Sequence, residues 1–64
     1  MTVTNLWNAC GNWTPFCNVR IYSIVTGITS NYSYFEDVLR DWADSLVLSF
    51  DYSADTDTMN INVK

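Results

Sequence analysis

The chain has 64 residues, of which 48% are hydrophobic and 16% aromatic, and its formal net charge is −4. A chain of this length forms a single domain that buries only about 60% of its unfolded surface, and the aromatic content excludes intrinsic disorder. Three basic residues are too few for the clustered phosphate contacts of a nucleic-acid-binding protein, so direct nucleic-acid binding is excluded.

The first predicted element is a helix over residues 2–10. Thr2 is a suitable N-cap, Gly11 fits the left-handed position after a helix end, and Pro15 prevents continuation. Its apolar residues recur at the spacing of one helix face: Val3, Leu6, Trp7 and Cys10.

Two strands are predicted next. Residues 16–25 are rich in β-branched and aromatic side chains on both alternating sets, which indicates a central strand. Thr26 and Gly27 form a plausible turn, after which residues 28–32 run back as a second, shorter strand.

A second helix is predicted over residues 34–45, with Ser33 and Glu36 as a capping box. One face of this helix is apolar and the face opposite to it is charged. On the charged face Glu36 and Arg40 stand in the favourable i, i+4 order. The apolar stripe comprises Phe35, Val38, Leu39, Trp42, Ala43 and Leu46, and the charged face comprises Glu36, Asp37, Arg40, Asp41 and Asp44.

Residues 47–53 and 59–64 alternate between apolar and polar side chains, which predicts a terminal β-hairpin around a polar loop over residues 54–58. The predicted order is therefore α-β-β-α-β-β in one α+β domain over residues 1–64. The two helices should cover one face of an antiparallel or mixed sheet.

Catalytic chemistry is not expected, because the chain has no histidine, one glutamate and one lysine at its end. Cys10 and Cys17 allow a disulfide or half of a zinc site, but the favoured interpretation is two buried free thiols. Asp51, Asp55 and Asp57 invite a calcium site. Because their segment lacks the glycine and the closing glutamate of a calcium loop, a solvated turn is favoured. We therefore expect neither cofactor nor metal.

Charge is distributed unevenly, since all seven acids lie at or after Glu36. Two of the tryptophans lie on predicted helix stripes, but Trp13 lies in an aperiodic loop, where it either caps the core or is an exposed interface anchor. An acidic surface suits a basic protein partner. The candidate partner-binding residues are Asp37, Asp41, Asp44, Asp51, Asp55, Asp57 and Trp13.

The sequence has no run of about 18 apolar residues and no basic, apolar N-terminal signal. We expect no membrane span and a cytoplasmic location.

Three segments carry a family resemblance: residues 1–4 (MTVT), 19–22 (VRIY) and 46–63, in which LVLSFD leads into MNINV. In them the chain resembles small uncharacterised proteins of phages and prophages of Gram-positive bacteria. The resemblance implies a mobile-element origin and a bacterial host cytoplasm. It also implies a stoichiometric inhibitor of a host or defence protein. The alternative is a small structural module whose neutral, aromatic half forms a homodimer.

Overall fold

The computed structural model describes residues 1–10 and 18–64, which form two helices and a four-stranded mixed sheet. The predicted α+β class and the predicted element order are confirmed. The elements are α1 (Val3–Cys10), β1 (Asn18–Ser23), β2 (Thr29–Tyr32), α2 (Phe35–Trp42), β3 (Val47–Ser53) and β4 (Thr58–Val63).

The strands lie in the order β2-β1-β4-β3. β1 pairs antiparallel with β2 and parallel with β4, and β3 pairs antiparallel with β4. The predicted central position of β1 and the predicted terminal hairpin of β3 and β4 are therefore both confirmed. β2 and β3 are the two edges of the sheet.

The core lies on one face of the sheet. Alternate residues of β1 and β4 are buried there, while those between them point to the opposite face. Both helices contribute side chains to the same core. Its buried hydrophobic members are Val3, Leu6, Cys10, Val19, Ile21, Phe35, Val38, Met59, Ile61 and Val63.

Helix α1 begins as the sequence predicts. The Oγ1 atom of Thr2 accepts a hydrogen bond from the Asn5 amide at 3.2 Å, and the Asn5 side chain accepts one from the Thr2 amide at 3.0 Å. This reciprocal pair satisfies backbone donors at the helix start. The predicted end signals, Gly11 and Pro15, lie outside the described residues.

Helix α2 starts differently from the prediction. Its N-cap is Tyr34 in an extended conformation with no side-chain capping bond, so the predicted capping box of Ser33 and Glu36 is wrong. A one-residue shift of the helix start leaves Ser33 too far back to cap it. The Asp37 amide instead donates to the Tyr34 carbonyl at 3.1 Å.

Several predicted boundaries are also corrected. α2 ends at Trp42, and Leu46 is exposed in an isolated bridge with Thr2, not on the helix stripe. β1 ends at Ser23 and not at residue 25, because the chain turns after Ser23. The turn includes Gly27 at a φ of 71°, a conformation that glycine adopts without strain. Of the predicted first strand, residues 16 and 17 lie outside the described residues.

Candidate functional site

The charged side of α2 faces away from the core. Phe35 and Val38 are buried and Leu39 is partly buried, which turns the intervening acids outward. Glu36, Asp41 and Asp44 are exposed, and Asp37 is half-buried. Together with Arg40, these four acids form the surface called here the acidic face.

One ion pair lies within the acidic face. Arg40 Nη2 is 3.1 Å from Asp37 Oδ1, whereas the predicted partner of Arg40 was Glu36. The Arg40 side chain is 77% exposed, so the pair contributes little to stability. Arg40 neutralises one of the four carboxylates, and the acidic face keeps a negative charge.

A hydrogen-bonded chain connects the acidic face to β2. Trp42 Nε1 donates to the Tyr32 hydroxyl at 2.8 Å, and this hydroxyl donates to Asp41 Oδ2 at 3.0 Å. Burial raises the pKa of the Tyr32 hydroxyl above its ordinary value, the Trp42 bond opposes this rise, and Asp41 adds to it. This link could not be predicted from the sequence, since nothing in the local pattern relates residues 32, 41 and 42.

Tyr32→Phe should lower the free energy of unfolding by about 1 kcal/mol, because it leaves the Trp42 N–H without its acceptor. The measurement is urea unfolding at neutral pH. Tyr22→Phe is the matched control: Tyr22 is exposed on the opposite sheet face, so its change should be near zero. Equal losses in both variants would contradict the role given to this link.

The wild type and Tyr32→Phe should also differ in how their stability changes at high pH. A tyrosine whose pKa is raised in the folded state contributes stability that is present below its unfolded pKa of about 10 and is lost above it. The wild type should therefore lose more stability than Tyr32→Phe as the pH rises past about 10. Parallel losses would contradict this.

The remaining candidate acids lie elsewhere. Asp51 pairs with Asn60, between the buried Met59 and Ile61, and so projects from the sheet face opposite the helices. Asp55 is exposed in the turn between β3 and β4. The six predicted acids therefore occupy three parts of the surface: α2 with its following turn, the outer sheet face and the β3–β4 turn.

Asp57 has a structural role in that turn. Its φ of 49° is in the left-handed region, and its carbonyl accepts a hydrogen bond from the Asn18 amide at 3.0 Å. Its carboxylate also accepts a hydrogen bond from the Tyr52 hydroxyl. These contacts connect the turn to β1 and β3.

The outer face of the sheet carries polar side chains. The register aligns Asn31, Arg20, Asn60 and Asp51 in one row across the four strands. The side-chain amides of Asn31 and Asn60 donate and accept hydrogen bonds and carry no charge near neutral pH, so this row can bind polar groups. An open cavity of about 290 Å³ lies beside it, lined by Asn18, Val19, Arg20, Asn31, Tyr32, Ser33 and Thr58.

Apolar side chains are exposed along β3 and in the turn between β1 and β2. Leu48 and Phe50 of β3 are each 47% exposed, and Ile28 of the turn is 56% exposed. Other exposed large hydrophobic residues are Met1, Tyr22, Ile24, Val25, Tyr34, Leu46 and Tyr52. Large apolar side chains exposed together on one strand, as along β3, commonly mark protein contacts.

Cys10 is a free, buried thiol, as predicted, whereas Cys17 and Trp13 lie outside the described residues. Within residues 1–10 and 18–64, no three His, Cys, Asp or Glu side chains are grouped so that they could hold a metal ion. None of the helices described here is long and apolar enough to cross a membrane.

Comparison with known proteins finds no matching family model, and no curated protein or solved structure matches the chain significantly.

Proposed function

We propose that the chain is a non-catalytic protein-binding module that engages a basic surface of a partner protein through its acidic face. The observation that carries this proposal is the outward orientation of four carboxylates against one guanidinium. This is a formal charge of −3 on one helix and its following turn, out of −4 for the whole chain. Such a surface speeds association with a basic partner and determines its orientation.

Two acids of this surface have a role in folding. Asp37 lies in the first turn of α2, where a negative charge favours the helix dipole, and it also pairs with Arg40. Asp41 accepts the hydrogen bond of Tyr32. The presence of these two acids is therefore explained in part by their contribution to the stability of the fold.

Asp44 is the acid that stability does not explain. It follows the C-terminal end of α2, where a negative charge opposes the helix dipole. Among the described residues its side chain has no hydrogen-bond or ion-pair partner, and it is exposed. A group that costs stability and remains available to solvent supports a role in binding.

Asp51, Asp55 and Asp57 lie apart from the acidic face, on the outer sheet face and in the β3–β4 turn, and Trp13 lies outside the described residues. Inhibition of a host or defence protein follows from the resemblance to phage proteins, and the acidic face supplies the means of binding.

The test compares two double variants with the same net charge. Glu36→Gln with Asp44→Asn removes two charges from the acidic face, whereas Asp51→Asn with Asp55→Asn removes two charges elsewhere; each changes the chain from −4 to −2. Immobilised wild-type chain is used to capture basic proteins from a Gram-positive bacterial lysate, and the affinity of each captured protein is then measured.

The first variant should bind a captured partner about tenfold more weakly, which corresponds to about 1.4 kcal/mol, and its binding should depend less on salt. The second variant should bind like the wild type. Equal affinities of both folded variants, checked by circular dichroism, would refute the acidic face and direct attention to Trp13.

A further inference from the structure

Strand β3 extends the apolar face of the sheet beyond the core. Phe50 pairs with Ile61, so both project from the face that the helices cover. Ile61 is 1% exposed and Phe50 is 47% exposed. Helix α2 packs on β1 and β2, at the edge of the sheet opposite to β3. The apolar surface therefore continues onto β3, where α2 does not cover it.

The outer edge of β3 is occupied only at its beginning. The Val47 amide donates to the Met1 carbonyl at 2.7 Å, and the register shifts between Val47 and Ser49. From Phe50 to Ser53 the pairing with β4 is regular, and in the part of the chain that the structure describes no strand pairs with the other side of β3. β3 also lacks the lysine or proline that commonly protects an edge strand.

We propose that β3 pairs antiparallel with β3 of a second copy, centred on Phe50, to form a continuous eight-stranded sheet. Directly opposed residues in an antiparallel pair share a face, so Phe50 must meet an apolar-face residue of the other copy. In the Phe50-centred register, Asp51 lies opposite Ser49 of the partner subunit. A slip of one strand by two residues relative to the other keeps the apolar faces matched. It would place the two Asp51 carboxylates directly opposite each other, which is unfavourable.

The charge on β3 itself does not oppose a second copy as the occupant. The chain carries −4, but β3 contributes only Asp51, which projects from the other face of the sheet. A two-fold axis at β3 therefore joins the copies along a strand with little charge, while the same apolar side chains from both copies cover each other.

The available area is sufficient for a reversible dimer. A half-exposed aromatic ring still offers roughly 100 Å², so the exposed side chains of β3 with the strand edge would bury roughly 500 Å² per copy. The total of roughly 1,000 Å² is at the lower limit for a specific interface. We expect a weak dimer that dissociates on dilution, because a small interface leaves little free energy after the cost of association.

Salt should strengthen the dimer, because two copies of the same negative charge repel each other. Between about 0.1 M and 1 M salt the Debye length falls from about 10 Å to 3 Å, which screens this repulsion. The dissociation constant from sedimentation equilibrium should fall several-fold. The acidic face should show the opposite dependence, so the two proposals can fail separately.

Phe50→Lys tests the interface, since it places two positive charges at the two-fold axis. Leu48→Lys, a second exposed position on β3, serves in case the first variant does not fold, and Ile28→Lys is the control at an equally exposed position away from β3. Circular dichroism establishes folding. The β3 variants should be monomeric at concentrations where the wild type and Ile28→Lys form dimers.

Phe50→Cys tests the register. Opposed Cα atoms in an antiparallel pair are about 4.5–5.5 Å apart, within the range for a disulfide. Oxidation should give covalent dimers of Phe50→Cys and not of Ile28→Cys. A wild-type chain that remains monomeric to about 1 mM, where association would be weaker than about −4 kcal/mol, would overturn the proposal. Dimers that both Lys variants of β3 leave intact would also overturn it.

Discussion

Phe35→Ala is expected to remove a large part of the free energy of unfolding of the chain. The Phe35 side chain is fully buried at the start of α2, and its ring lies 5.0 Å from the ring of Trp7. Truncating a buried phenylalanine costs about 3–5 kcal/mol. A domain of this size is stabilised by roughly 3–10 kcal/mol, so the loss consumes a large part of the total. The measurement is urea unfolding followed by circular dichroism.

Phe50→Ala is the matched control, because it deletes the same ring from an edge strand where the ring is half exposed. In dilute solution, where association does not contribute, its cost should stay below about 1.5 kcal/mol, since less surface and no enclosed cavity are involved. If Phe35→Ala melts within a few degrees of Phe50→Ala, the position of α2 over the sheet is wrong.

Ile61→Ala should have the second largest effect, about 2–5 kcal/mol. Ile61 lies in the middle of β4, between Ile21 of β1 and Phe50 of β3, and the helices cover it. Truncation would leave a cavity where both sheet neighbours and the helices meet. The loss should appear as a lower urea midpoint with an unchanged dependence on urea concentration.

The matched control for Ile61 is Ile28→Ala in the turn between β1 and β2, where the side chain is mostly exposed. We expect a change within about 0.5 kcal/mol there, as for most surface substitutions. A large loss at Ile28 together with a small loss at Ile61 would indicate that the strand order or the buried face of the sheet is incorrect.

The regular elements could be predicted because their side-chain spacing is local. Three-to-four-residue spacing identified α1 and α2, and alternation identified the terminal hairpin. The start of α2 was missed, since Ser33 is a favourable N-cap residue by type whereas the extended backbone at Tyr34 sets the boundary without a side-chain cap. Boundary shifts of one or two residues have this origin.

Core membership was harder to predict than element type. Trp42 lies on the predicted apolar stripe of α2, yet it is only partly buried and donates a hydrogen bond to Tyr32. Phe35 occupies the enclosed position instead. Which member of a stripe reaches the centre depends on where the helix crosses the sheet, and spacing along one helix contains no information on that.

The candidate surface was predictable in part for the same reason. The outward orientation of Asp41 and Asp44 follows from the apolar stripe of their own helix. The separation of Asp51 from them depends on which face of the sheet the helices cover, and the exposure of Phe50 depends on the strand order. Both are long-range properties that one sequence does not reveal.

The position of β4 also has a consequence for how the protein is made. β4 follows the other three strands of the sheet in the sequence, yet it lies between β1 and β3 and supplies three fully buried side chains, Met59, Ile61 and Val63. During translation β1 has only β2 to pair with until residues 58–63 leave the ribosome. A nascent chain stalled before Thr58 should therefore expose its apolar surface to chaperones and proteases, and folding should be completed only after β4 has emerged.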